Sequence, residues 1–169
     1  MYIKILSLVD KTNYTMQKCK IVLDNILSYR NQTVILCYMR KHDVSIETAR
    51  KHFRAMLAFL YFCATSENTF TPSEVIDEMW HTFLLSTKDY DEFCQEYLGK
   101  KIHHNPDAVV TEASKEKNQQ QYINLYIIAE QTLGALDPEM FPNPMVLAAG
   151  CNGDCGSGGS CSGSTNCQT

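Results

Sequence analysis

The sequence lacks features that define three common classes of protein. It has no excess of basic residues: Lys+Arg number 15 and Asp+Glu number 19, and the formal net charge is −4 at pH 7. Because proteins that bind the phosphate backbone are normally basic, we expect no nucleic-acid partner. No stretch approaches the roughly 18 apolar residues that a transmembrane helix needs. The apolar start Met1–Val9 is also shorter than a secretory signal, so we expect no membrane partner and a cytoplasmic location.

Strand-like alternation is also absent, and apolar residues recur instead at helical spacing. One such stripe lies between residues 45 and 64, and similar stripes predict helices over 15–30, 71–85, 86–98 and 111–133. The short apolar run 34–39 fits either a strand or a helix, and its spacing and its helical neighbours favour a helix. We therefore predict an all-α fold, a single compact bundle of about five or six helices.

Capping residues indicate where several of these helices begin and end. The order Thr71-Pro72-Ser73-Glu74 is typical of a capping box. In this interpretation Thr71 is the N-cap, Pro72 takes the first helical position and Glu74 reaches back to the cap. Gly99 is placed to end the following helix in the left-handed conformation.

Cysteine is unusually abundant, with eight in the chain. Four are scattered through the body, and four lie between Gly150 and Thr169 together with six of the eight glycines. Large apolar side chains are too scarce in this segment to offset the entropy of ordering it. We therefore predict a flexible Cys/Gly-rich tail at 149–169 after a helical domain at 1–148. Four tail thiols are candidate ligands for soft ions such as Zn²⁺ or Cu(I), or sites of oxidation or enzymatic modification: Cys151, Cys155, Cys161 and Cys167.

A candidate metal site lies in the middle of the chain. Asp77 and His81 are four residues apart and share one helix face, where a carboxylate can orient an imidazole. Cys94 lies on the next predicted helix, and His103 and His104 lie in the loop after it. Imidazole and thiolate are ligands of Zn²⁺ and other divalent metals. The sequence therefore predicts a site built from His81, Cys94 and a loop histidine, with Asp77 as the orienting residue.

The same residues also have a structural interpretation. His81 projects about 150° away from the centre of the apolar arc of its helix, so it lies on the polar side, where a cap or a His–Asp hydrogen bond explains it equally well. Cys94 lies on the inward stripe of its own helix, and a buried thiol behaves as a small hydrophobe. Nothing in the sequence marks Cys94 as a catalytic nucleophile.

An ordered pattern of residues connects this region with a known family. A V-D-x-x-W-H helix is followed by T-x-x-Y-x-x-F-C and then by a G-x-x-x-x-H-x-P loop. The matching residues are Asp77, Trp80, His81, Thr87, Tyr90, Phe93, Cys94, Gly99, His104 and Pro106. This pattern resembles the core of the glycine-rich domain-containing-protein-like family over about residues 33–142, and a Cys/Gly-rich tail is a further likeness. The family pattern tends to have a second histidine where this chain has Phe83, so the resemblance implies that one candidate ligand is lost. It implies no settled reaction.

These observations favour a non-enzymatic binding or scaffold module with an unidentified protein partner. Metal would bind through the His/Cys cluster or through the tail thiols, and we assign no catalytic residue. The first alternative is a metal-dependent enzyme that uses His81 and His104, with Asp77 as orienter. The second is a carrier that presents its Cys/Gly tail for modification.

Overall fold

A computed structural model describes residues 17–105, 109 and 111–149, and the regular structure in this part of the chain is entirely helical. Residues 17–28 are helical and form α1. The other helices are α2 (Gln32–His42), α3 (Ile46–Thr65), α4 (Glu74–Leu85), α5 (Thr87–Phe93) with a π-helical continuation (Cys94–Leu98), α6 (Glu112–Leu133) and α7 (Pro144–Ala149). The predicted all-α fold is confirmed for the described residues. The predicted tail with its four cysteines lies outside them.

The central helix is α3, which from Ala55 onward is apolar on nearly every side. A helix of this kind is stable only when neighbours surround it, and α3 packs against α2, α4, α6 and the π-helical stretch. Its buried residues are Ala49, His52, Phe53, Ala55, Met56, Leu57, Ala58, Phe59, Leu60, Tyr61 and Phe62. None of the helices in the described ranges is both long and apolar enough to cross a membrane.

Aromatic rings join α3 to α4 and α5. The centroids of Phe53 and Phe83 are 5.7 Å apart, and those of Phe83 and Phe93 are 5.6 Å apart. Tyr29, just after α1, lies 4.7 Å from Phe93. Edge-on and tilted ring pairs of this kind stabilise a core beyond the area they bury. This packing turns the apolar face of α4 inward and leaves its polar face toward the loop that follows Gly99.

The start of α4 differs from the sequence prediction. Its N-cap is Ser73, whose side chain accepts a hydrogen bond from the backbone of Ile76, and the helix begins at Glu74. Thr71 instead donates its hydroxyl to Gln121 on α6 at 2.9 Å. Ser73 is preferred because its hydroxyl makes a second bond, to the carbonyl of Met140 at 2.6 Å. Gly99 has φ 71 and ends the π-helical stretch, as predicted.

The chain returns across the bundle after α6. Met140 and Phe141 are buried, each 5% exposed. Three polar contacts hold this segment to the helices: the Ser73–Met140 bond, a contact of 2.9 Å between the His52 imidazole and the Glu139 carboxylate, and a hydrogen bond of 2.7 Å from the Tyr122 hydroxyl to the Pro142 carbonyl. The segment leads into α7, a helix that the sequence analysis did not predict.

Candidate metal centre

The first half of the candidate site lies on the polar face of α4. Asp77 and His81 are one helical turn apart, and Asp77 Oδ2 lies 3.5 Å from His81 Nδ1. Their side chains are 32% and 39% exposed, so both remain accessible at the surface. This pair was predicted from the spacing of the two residues, and the structure brings them together as expected.

The second half comes from the loop after Gly99. His104 Nε2 lies 2.8 Å from Asp77 Oδ1, and the ring centroids of His81 and His104 are 4.5 Å apart. Because a carboxylate only accepts hydrogen bonds, Nε2 of His104 carries the proton in this arrangement. His104 is 15% exposed and is the most buried of the three side chains. Asp77 therefore contacts both histidines and links the loop to α4.

The three side chains have the composition and closeness of a metal-binding group. One ligand atom from each of Asp77, His81 and His104 lies within 4.8 Å of the others. Two imidazoles and a carboxylate suit Zn²⁺ and related divalent transition metals, whereas Mg²⁺ and Ca²⁺ prefer an all-oxygen set.

A buried relay of hydrogen bonds positions the loop. Trp80 donates its indole N–H to the Tyr90 hydroxyl at 3.1 Å, and Tyr90 donates to the Ile102 carbonyl at 2.6 Å. Burial raises the pKa of Tyr90 well above its ordinary value, so the hydroxyl keeps the proton that it donates. The Trp80 ring also lies 4.6 Å from that of His104. These contacts hold the backbone two residues before His104. Residue spacing did not reveal this relay.

Two predicted ligands lie outside the group. Cys94 is 1% exposed and packed in the core, where it neighbours the Tyr90 hydroxyl, because position 94 falls on the inward face of its helix. His103 is exposed, and among the described residues only Asp77, His81 and His104 form a group of candidate ligands. Asp77, predicted as an orienting residue, lies close enough to be a ligand itself.

Two other reactive side chains of the described residues, Cys63 and His52, are less suited to bind metal. Burial raises the pKa of the Cys63 thiol to about 12, so it stays protonated at neutral pH. His52 lies between the Tyr38 hydroxyl at 3.0 Å and Glu139 at 2.9 Å. That buried chain of contacts holds the segment after α6 against α3, so His52 has a structural role.

The comparison with known families gives a match over most of the chain. Residues 22–143 match the family described as UCP032817-like. The chain belongs to the UCP032817-like family. The matched range runs from α1 to the residue before α7, so it contains all three members of the candidate site. The description of the UCP032817-like family refers to no activity, ligand or glycine-rich domain. No curated protein and no solved structure matches the chain.

Proposed function

We propose that this UCP032817-like protein is a non-enzymatic metal-binding module of the glycine-rich domain-containing-protein-like type. Its protein ligands are Asp77, His81 and His104, and its metal is a divalent transition ion such as Zn²⁺. The observation that carries the proposal is the closeness of three ligand atoms, one per side chain, within 4.8 Å of one another. The site joins two separate parts of the chain, so a bound metal would crosslink α4 to the loop after Gly99.

A cavity among the described residues lies apart from the three proposed ligands. An enzyme needs a cleft beside its metal to hold and desolvate a substrate. A cavity of about 310 Å³ does occur, but it lies between α3 and the segment after α6, and its lining includes Lys51, Arg54, Leu136 and Phe141. None of the three ligands lines it. A metal at the site is therefore better suited to hold the loop or to contact a protein partner in a reducing, cytoplasmic setting.

Metal titration of the full chain tests the proposal. The protein used carries serine at all four tail cysteines, Cys151, Cys155, Cys161 and Cys167, and is called the tail-serine variant. We expect it to bind Zn²⁺ in a one-to-one complex by isothermal titration calorimetry. In this background His81→Ala and His104→Ala should each weaken binding by about tenfold or more, since each removes a ligand.

A neighbouring histidine provides the matched control. His103 is exposed and adjacent in sequence to His104, so His103→Ala should leave the affinity for Zn²⁺ unchanged. Circular dichroism should show the same helix content for all three histidine variants. Equal binding by the His81→Ala, His103→Ala and tail-serine proteins would overturn the proposed site. Metal-dependent turnover lost with His81→Ala would instead establish the enzyme alternative.

A further inference from the structure

A second candidate binding site lies apart from the metal centre. The cavity between α3 and the segment after α6 has a volume of about 310 Å³. This volume lies at the small end of the range for ligand pockets in proteins, about 300–1,000 Å³. Since a water-sized group takes up about 30 Å³, the cavity has room for a ligand of about ten non-hydrogen atoms.

The buried part of the cavity lining is apolar. Two small side chains on α3, Ala55 and Ala58, form one wall. Leu27 of α1 also lines the cavity, together with Met140 and Phe141 of the returning segment, and each of these three residues is 5% exposed. The transfer of an apolar group from water into such surroundings is favourable. The cavity is therefore suited to hold a short apolar chain.

The exposed part of the lining carries two cations without counterions. Lys51 and Arg54 lie on α3, and neither has an ion-pair partner in the part of the chain that the structure describes. Arg54 makes one long hydrogen bond, of 3.4 Å, to the Leu27 carbonyl, and Arg30 donates to that same carbonyl at 2.8 Å. Because a guanidinium has five N–H donors, most of those of Arg54 are left for a ligand.

One carboxylate, that of Asp137, also lines the cavity. Its Oδ1 accepts a hydrogen bond of 3.0 Å from the backbone of Glu139, and it forms no ion pair with Lys51 or Arg54. The two cations outnumber this carboxylate, so the lining is net positive although the whole chain has a formal charge of −4. A positive cavity mouth attracts an anion and disfavours a cation.

We infer that this cavity binds a small amphipathic carboxylate, with the chain of the ligand against the apolar lining and its carboxylate on Lys51 and Arg54. A guanidinium matches a carboxylate well because it can donate two parallel N–H bonds to the two oxygens, and a lysine adds a flexible point charge. The inference goes beyond the proposed metal-binding function and does not depend on it, since none of the three metal ligands lines the cavity.

Titration of the metal-free full chain with octanoate tests the inference. Octanoate is the probe because its chain and carboxylate together match the volume of the cavity. The amide chemical shifts of ¹⁵N-labelled protein should change in a saturable way, chiefly at residues 51–58 and 133–141, with a dissociation constant of about 1 mM or tighter. Octylammonium, which has the opposite charge, and octanol, which has none, should each bind about tenfold more weakly or worse.

Two variants test the two parts of the lining. Arg54→Gln changes an exposed side chain and should weaken octanoate binding by about tenfold. Ala58→Leu fills the cavity and should abolish binding, with helix content checked by circular dichroism. The matched control is Arg40→Gln, because Arg40 is an exposed arginine on α2 that does not line the cavity. This control should leave the affinity for octanoate unchanged.

The outcomes distinguish this inference from its alternatives. Equal affinities for octanol and octanoate would indicate an apolar occupant and overturn the assignment of a carboxylate. No saturable shifts, shifts spread over the whole surface, or an affinity that Arg54→Gln leaves unchanged would overturn the inference as well. His81→Ala removes a proposed metal ligand and should bind octanoate as the native protein does, so a failure of either proposal leaves the other standing.

Discussion

The hydroxyl of Ser73 should contribute more to stability than an ordinary helix cap. It accepts from the Ile76 backbone at 3.4 Å, a long bond, so this cap contributes about 0.5–1 kcal/mol. It also donates to the Met140 carbonyl at 2.6 Å in a buried setting, with Ser73 only 8% exposed. Ser73→Ala leaves that carbonyl without a donor, which costs about 1–3 kcal/mol. The free energy of unfolding should therefore fall by about 1.5–4 kcal/mol.

Another serine cap provides the control for this prediction. Ser45 caps α3 in an exposed position, where it accepts from the Thr48 backbone at 3.1 Å, and its hydrogen-bond partners within the described part of the chain are local. Ser45→Ala should therefore lower the free energy of unfolding by only about 1 kcal/mol. The assay is urea denaturation of the full chain followed by circular dichroism. Equal losses for the two variants would refute the argument that the Met140 bond holds the returning segment against α4.

Two further predictions concern α4 and its neighbours. Tyr90→Phe removes the hydroxyl between Trp80 and Ile102, so it should lower the free energy of unfolding by about 2–4 kcal/mol in a denaturation experiment. It should also weaken Zn²⁺ binding by about tenfold in calorimetry. An unchanged affinity for Zn²⁺ would show that the relay does not support the metal site. Phe83→His in the tail-serine background should lower the free energy of unfolding by about 2–4 kcal/mol and should not strengthen Zn²⁺ binding. Tighter Zn²⁺ binding by this variant would contradict that expectation.

The parts of the fold that the sequence could predict are those set by local spacing. Apolar residues that recur every three or four positions predict the helices. The freedom of glycine at positive φ predicts that Gly99 ends a helix. The Asp77–His81 contact is of the same kind, since residues four apart on a helix are always neighbours. Half of the candidate site therefore follows from the spacing of residues along the chain.

The rest depends on contacts between residues distant in sequence. Residue spacing alone does not distinguish His103 from His104, although the family pattern G-x-x-x-x-H-x-P matches His104, and the relay that holds Ile102 helps to position His104 beside Asp77. Ser73 and Thr71 are both good caps, and Ser73 is selected by the carbonyl of Met140, 67 residues away. Residue spacing contains no such information, so the choice of Ser73 could not be predicted, and only the family resemblance marked His104.

Phe83 departs from the family pattern, but the pattern does not show toward which part of the fold the side chain at position 83 points. The resemblance implied that phenylalanine there removes a candidate ligand. Residues 81 and 83 lie about 200° apart around a helix, so a side chain at 83 points away from His81. Phe83 is 0% exposed and packs between Phe53 and Tyr90, with centroids 5.7 and 5.2 Å away. A histidine at position 83 would bury an imidazole among aromatic rings and out of reach of Asp77. The site thus loses no ligand to Phe83, and Phe83→His should weaken the core alone.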